Sequence, residues 1–168
     1  TLTGSIEYDA IPKRGSYFVQ PDSAYPNKPR QVWTQGEDMD NHHWFPCWDF
    51  PNDKATSEVI ATVKSNYTFV SNGKLVSEKE NKKAGTKTFH WVQNKPHVSY
   101  LIMYAAGEYA VLKEKSDGIP LEYYVYKHHV DDAKINYAHT APMMKFFNEK
   151  IGFKYPWDKY AQVIVADF

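Results

Sequence analysis

The chain has 168 residues, 20 Lys and Arg balanced by 20 Asp and Glu, a single Cys, and 16% aromatic residues. That length buries one good core, or one domain and part of a second. A formal charge of zero argues against a nucleic-acid partner, because phosphate recognition needs a surplus of Lys and Arg to displace counterions.

No apolar run approaches the roughly 20 residues a helix needs to cross a bilayer, and the N-terminus lacks a charged-then-apolar signal pattern. The lone Cys47 excludes an internal disulfide framework and a Cys-rich zinc ribbon. In chain order, Thr1 reads as the interior of a strand, and Ser5-Ile-Glu-Tyr-Asp9 alternates apolar and polar residues as a half-buried strand does. Pro12-Lys-Arg-Gly15 breaks the pattern before the strand Tyr17-Phe18-Val19. Residues 20–30 carry Pro21, Pro26 and Pro29, which deny a helix or a central ladder its N–H donors and predict an ordered loop or lid. Further strands are expected at Glu58–Val63, Tyr67–Ser71, Lys87–Val92, Val98–Tyr109 and Leu121–Lys127. Asn72-Gly73 is a tight-turn dipeptide, and Lys79–Gly85 is the charged link of an exposed hairpin. So many strands in series predict a mainly β, antiparallel fold.

The pattern changes after His129. Met143, Phe146, Phe147 and Ile151 recur at helical spacing, with Thr140 as N-cap, Pro142 in the first turn and Gly152 at the C-terminal stop. Gln162–Val165 then forms a short apolar strand with no evident partner. A boundary near residue 130 follows, with 1–130 as an antiparallel β-domain and 131–168 as a helix and strand of a second unit. With Phe168 directly after a strand, both ends of the chain read as cut.

Chemistry-bearing residues concentrate between Trp33 and Thr56. In an extended strand Gln35 and Glu37 share a face, and Gly36 between them admits a close neighbour. An amide oxygen and a carboxylate on one surface suit an ammonium group, which donates to both; an ordinary polar strand face is the alternative. Phe45-Pro-Cys-Trp-Asp-Phe-Pro51 reads as a rigid packed corner, with Asp49 able to pair with Lys54 and Cys47 as a small buried hydrophobe. His42-His43 and His128-His129 are neighbours that a strand would turn to opposite faces. The chain holds no His-Glu-x-x-His, so no self-contained metal site is expected. The 13 Tyr and 5 Trp leave open a carbohydrate-binding β-sandwich module, although aromatics at alternating strand positions more simply fill a core.

Four stretches carry a resemblance. Thr34-Gln-Gly-Glu37, then Phe45-Pro-Cys-Trp-Asp-Phe-Pro-Asn-Asp-Lys-Ala-Thr56, then Lys95-Pro-His-Val-Ser-Tyr-Leu101 with Gly107-Glu-Tyr109, then Gly152-Phe-Lys-Tyr-Pro-Trp-Asp-Lys-Tyr160 with Val165-Ala-Asp-Phe168 occur in this order. Together they resemble the zinc aminopeptidases related to aminopeptidase N and the leukotriene hydrolase. The resemblance implies a saddle-like antiparallel β-sandwich followed by the start of a thermolysin-like catalytic domain. It also implies that Gln35 and Glu37 reach the active-site cleft and hold a peptide substrate's free α-amine. The family's Gly-x-Met-Glu-Asn and His-Glu-x-x-His motifs would lie beyond Phe168, so zinc would belong to the parent protein. The chain alone is therefore expected to be inactive, with the remainder of the catalytic domain as its partner. It departs from the family pattern at His42 or His43, where many relatives carry Arg, and at Phe50, where they carry Glu before proline; an inactive scaffold homologue shares the same features.

Overall fold

The computed structural model describes residues 3–168; the expected strand character of Thr1 lies outside the described residues. Among the described residues ten strands form three sheets. The first is ordered β1 (Ser16–Val19), β2 (Gln31–Thr34), β7 (Tyr104–Gly107), β4 (Thr68–Ser71), all antiparallel. In the second, β6 (Thr86–Val98) lies between β3 (Lys54–Lys64) and β5 (Lys74–Asn81), again antiparallel. The third joins β8 (Tyr109–Ser116) antiparallel to β9 (Ile119–Tyr126), and β9 parallel to β10 (Tyr160–Val163). The mainly β, antiparallel expectation holds, and the strand left without a partner finds one in β9.

Several local expectations give way to the structure. Ser5–Asp9 is not a strand but exposed irregular chain: alternation makes a strand only where one face is buried, and none of these residues is. The stretch expected as one strand from Val98 to Tyr109 is broken by a 3-10 turn at Ser99–Leu101. Asn72-Gly73 makes the expected turn, but between β4 and β5, which belong to different sheets. Gly73 has φ +75°, and a Cβ there would stand 2.0 Å from the Val92 carbonyl oxygen, so only glycine fits this corner.

Period-two alternation explains how one strand serves two cores. On β9, Leu121, Tyr123 and Val125 face one side and Tyr124 the other, and all four are buried. The first three join Ala133 of α1 (Val130–Asn136) and Met144 of α2 (Thr140–Ile151). Tyr124 joins Trp33, Phe69, Val70, Phe89, Trp91, Ala105, Ala106 and Tyr109 in a larger core drawn from all three sheets.

The second helix runs where its spacing predicts and stops at Gly152, whose φ of 70° is the left-handed C-terminal conformation. Thr140 is its first helical residue, not a cap: its hydroxyl donates to Gln162 Oε1. The spacing alone leaves open which side of the helix is covered. Met144 is the buried residue, while Met143, Phe146, Phe147 and Ile151 are all more than half exposed.

Candidate functional site

The site region begins where β2 ends. Val19, Gln31 and Trp33 are buried, so β2 is fixed in the first sheet up to Thr34. Gln35 follows it, half-buried, its N–H donating to the Gly15 carbonyl at 3.0 Å. Gly36 is buried and Glu37 is exposed. The regular strand expected through Glu37 therefore ends three residues early. Residues 37–40 turn, and Asn41–His43 form a short 3-10 helix.

Asn41 holds this loop in place. It is fully buried; its Nδ2 donates to the Ser99 and Ile102 carbonyls at 2.7 and 2.8 Å, and its Oδ1 accepts from Trp44 Nε1 at 2.8 Å. All the hydrogen-bonding capacity of a buried amide except one acceptor lone pair is used, as burial demands. Gly36 rests against it: a Cβ there would lie 2.3 Å from Asn41 Oδ1 and 2.5 Å from the Tyr100 oxygen. The expectation that Gly36 admits a close neighbour holds, and the neighbour is this clamp.

The proline-rich corner is less packed than expected. Trp48 and Phe50 are exposed and lie against each other, with ring centroids 5.1 Å apart. Asp49 is the buried member and does not pair with Lys54. Its carboxylate accepts from the His42 N–H at 3.0 Å and from Ser99 Oγ at 2.8 Å, with His42 Nδ1 at 3.3 Å. Because residues 41–43 are helical, the rings of His42 and His43 lie side by side, tilted by 39° with centroids 4.2 Å apart, instead of diverging. Burial, with Asp49 close by, pushes the Cys47 thiol up to about 11, which disfavours the reactive thiolate.

Three further side chains bring the C-terminal segment to β2 and the loop before it. Gln31 accepts the Ala166 N–H and the Tyr126 hydroxyl on Oε1, and donates from Nε2 to Tyr109 Oη. Burial raises the Tyr109 hydroxyl to about 12. Trp33 Nε1 donates to the Ala166 carbonyl at 2.9 Å, and its ring stacks between Tyr17 and Phe168. Lys28 bridges Asp22 and Asp167. Ala166–Phe168 thus lies along the strand that leads into Gln35 and Glu37.

On the other side, Lys159 reaches across to the turn between β4 and β5. Its ammonium donates to the Ser71 and Gly73 carbonyls at 2.5 and 2.8 Å and lies 4.4 Å from the Trp91 ring centroid. Burial lowers it to about 8, against the pull of Glu122 and Asp158. It borders a cavity of about 320 Å³ that Gln93, His97, Met103 and Trp157 also line.

The profile of the Peptidase M1 N-terminal domain matches residues 3–101, more than half of the chain. The chain belongs to the peptidase M1 N-terminal domain family. Aminopeptidase M1 of Arabidopsis thaliana is 29% identical over 143 residues, covering 84% of this chain and 16% of the relative. Human glutamyl aminopeptidase is 28% identical over 138 residues, covering 82% and 14%, and the puromycin-sensitive aminopeptidase of Caenorhabditis elegans 26% over 136, covering 80% and 14%. The chain thus spans only 14–16% of the length of these relatives.

Among the described residues no group of three or more His, Cys, Asp or Glu gathers in a way that could hold a metal ion. These residues do not fit the zinc that the family implies. Among the described residues no helix is long and apolar enough to cross a membrane. Of the five Trp, only Trp48 is exposed, so the aromatics that suggested a sugar-binding face mainly build the core. Asn41, Gln31 and Lys159 escape the sequence reading, since an isolated Asn, Gln or Lys carries no local sign that its partners lie 58 to 135 residues away.

Proposed function

We propose that the chain is the amine-recognising β-domain of a zinc-dependent aminopeptidase, with residues 131–168 opening the catalytic domain and β9 serving both units. Membership of the M1 family and the aminopeptidase relatives support the parent activity. The observation that carries the assignment of the site is the packing of Ala166–Phe168 along β2 through Gln31 and Trp33. In the resembling family the Gly-x-Met-Glu-Asn motif follows that segment, so it would start beside the loop bearing Gln35 and Glu37.

The chemistry expected of the two residues is recognition. A peptide's α-ammonium offers three N–H donors and one positive charge. The Gln35 side-chain oxygen accepts one donor, and the Glu37 carboxylate accepts another with charge assistance. Holding the ammonium there orders the substrate from its first residue, which restricts reaction to the N-terminal peptide bond by position. When bound in the parent, zinc supplies Lewis acidity from residues outside this chain. The saddle-like sandwich shape belongs to this proposal, as does docking of the remaining catalytic domain on α2, whose exposed Met143, Phe147 and Ile151 support it.

The test uses the full-length parent. Glu37→Ala is expected to raise KM for substrates with a free amine and to lower kcat/KM roughly 10- to 150-fold, equivalent to about 1.5–3 kcal/mol for a lost charge-assisted hydrogen bond. Unchanged kinetics on such substrates would remove Glu37 from the site.

A further inference from the structure

The segment Ser99–Met103 is gripped from two sides. Asn41 takes the Ser99 and Ile102 carbonyls, as described above. From the opposite side Asn72 donates to the Leu101 carbonyl at 2.9 Å and accepts the Met103 N–H at 2.7 Å, while Ser71 Oγ donates to the Met103 carbonyl at 2.6 Å. The turn that presents Asn72 is itself held by Lys159 through the carbonyls on either side, Ser71 and Gly73. Lys159 in turn sits in a tethered stretch: Lys95 donates to the Pro156 carbonyl, and Asp158 lies 3.6 Å from both Lys74 and Lys95. One run of contacts therefore leads from the segment before β10, through the turn after β4, across Ser99–Met103, to Asn41 and Gly36.

We propose that Asn72, seated by Lys159, is a positioning residue for substrate binding. It fixes the segment on which Asn41 and Gly36 rest, and so sets the direction in which Gln35 and Glu37 project. The proposal builds on the reading of those two residues as ammonium acceptors. Its physical basis is that both asparagines spend their amides on backbone groups of one short segment. That segment cannot shift at Leu101 or Met103 without disturbing Ser99, Tyr100 and Ile102, where the loop is anchored. Coupling through such a run is an energetic statement, read by perturbing one end and measuring the other.

The experiment is amide hydrogen exchange on this chain, comparing the wild type with Asn72→Ala, Lys159→Met and, as control, Lys134→Met, which removes a surface pair with Asp131. The informative amides are Asp40, bonded to the Gly36 carbonyl at 2.8 Å, and Trp44 and Phe45, both bonded to the Asn41 carbonyl. Each test variant loses two hydrogen bonds at its own position, and transmission of about one bond's worth of that loss to the loop makes its local opening about tenfold more frequent. Exchange at these three amides is expected to rise by that factor in both test variants, with no change in the control or in the β8–β9 ladder. Unchanged exchange at residues 40–45, or an equal rise throughout β8 and β9, would overturn the proposal. If Asn72→Ala does not fold, Asn72→Asp, which keeps the acceptor for Met103 and loses the donor to Leu101, is read by the same criteria.

In the full-length parent, Asn72→Ala is expected to raise KM for free-amine substrates about tenfold with kcat within about twofold, the pattern of a displaced binding group. A fall in kcat at constant KM would count against it. Kinetics of Glu37→Ala test the ammonium reading separately: if that variant is silent while exchange responds as expected, the mechanical link stands and the function assigned to the loop fails.

Discussion

Replacing Lys159 by Met tests whether a buried charge at the seam of the fold costs stability. The Met stem can still cover Trp91, while the two bonds to Ser71 and Gly73 are lost at every pH. What changes with pH is the wild type. Burial lowers the folded-state Lys159 from 10.5 to about 8, so between those values the unfolded chain binds a proton that the folded chain has released. Folding stability from this group therefore rises with pH across that window, by at most about 1.4 kcal/mol per pH unit. The whole displacement corresponds to roughly 3 kcal/mol. Below pH 8 the buried ammonium carries its full desolvation cost; above 10.5 the neutral amine still offers two N–H donors for the same two carbonyls. Urea titrations followed by Trp fluorescence at pH 7, 8, 9 and 10 would give unfolding free energies for both proteins. The difference, wild type minus Lys159→Met, is expected to increase over this range, since Met does not titrate and other groups cancel in the subtraction. A difference that stays flat or falls would refute the argument, because it would mean that the carbonyls and the nearby acids hold the proton more strongly than burial expels it.

Two other predictions concern stability and reactivity. Gly73→Ala places a Cβ 2.0 Å from the Val92 carbonyl at φ +75° and should cost more than about 2 kcal/mol in urea unfolding, whereas Gly85→Ala, with no atom within 4 Å of its Cβ, should cost about 1 kcal/mol from its positive φ alone. Cys47, partly buried and pushed up to about 11, should react with iodoacetamide at pH 8 about a hundredfold more slowly than an exposed thiol, reaching the exposed rate in urea; fast labelling of the folded chain would contradict the raised value.

How far the sequence could be read depends on the range of the interaction involved. The Asn72-Gly73 corner and the Gly152 stop were legible because a dipeptide or a single glycine meets a local backbone requirement. Asp117-Gly118 carried an equally local signal for the β8–β9 hairpin that the strand assignment passed over; both residues have positive φ. The extension of the strand through Gln35 and Glu37 failed because alternation cannot see Asn41, whose amide turns the chain at that point. The helical spacing of Met143, Phe146, Phe147 and Ile151 marks α2 correctly, but periodicity gives a stripe and not the partner that covers it, and these four are exposed while Met144 is buried.

By itself the sequence determined the mainly antiparallel class, the family, and the chemical types available at the loop, because these follow from side-chain periodicity, turn residues and ordered motifs close together in the chain. Only the tertiary structure decided that Ala166–Phe168 lies along β2, that β10 pairs with β9, and that Lys159 closes on the Ser71–Gly73 turn. Each of those contacts joins residues far apart in sequence, and each is specified by which carbonyls and amides burial leaves in need of a partner, a quantity no short stretch of residues encodes.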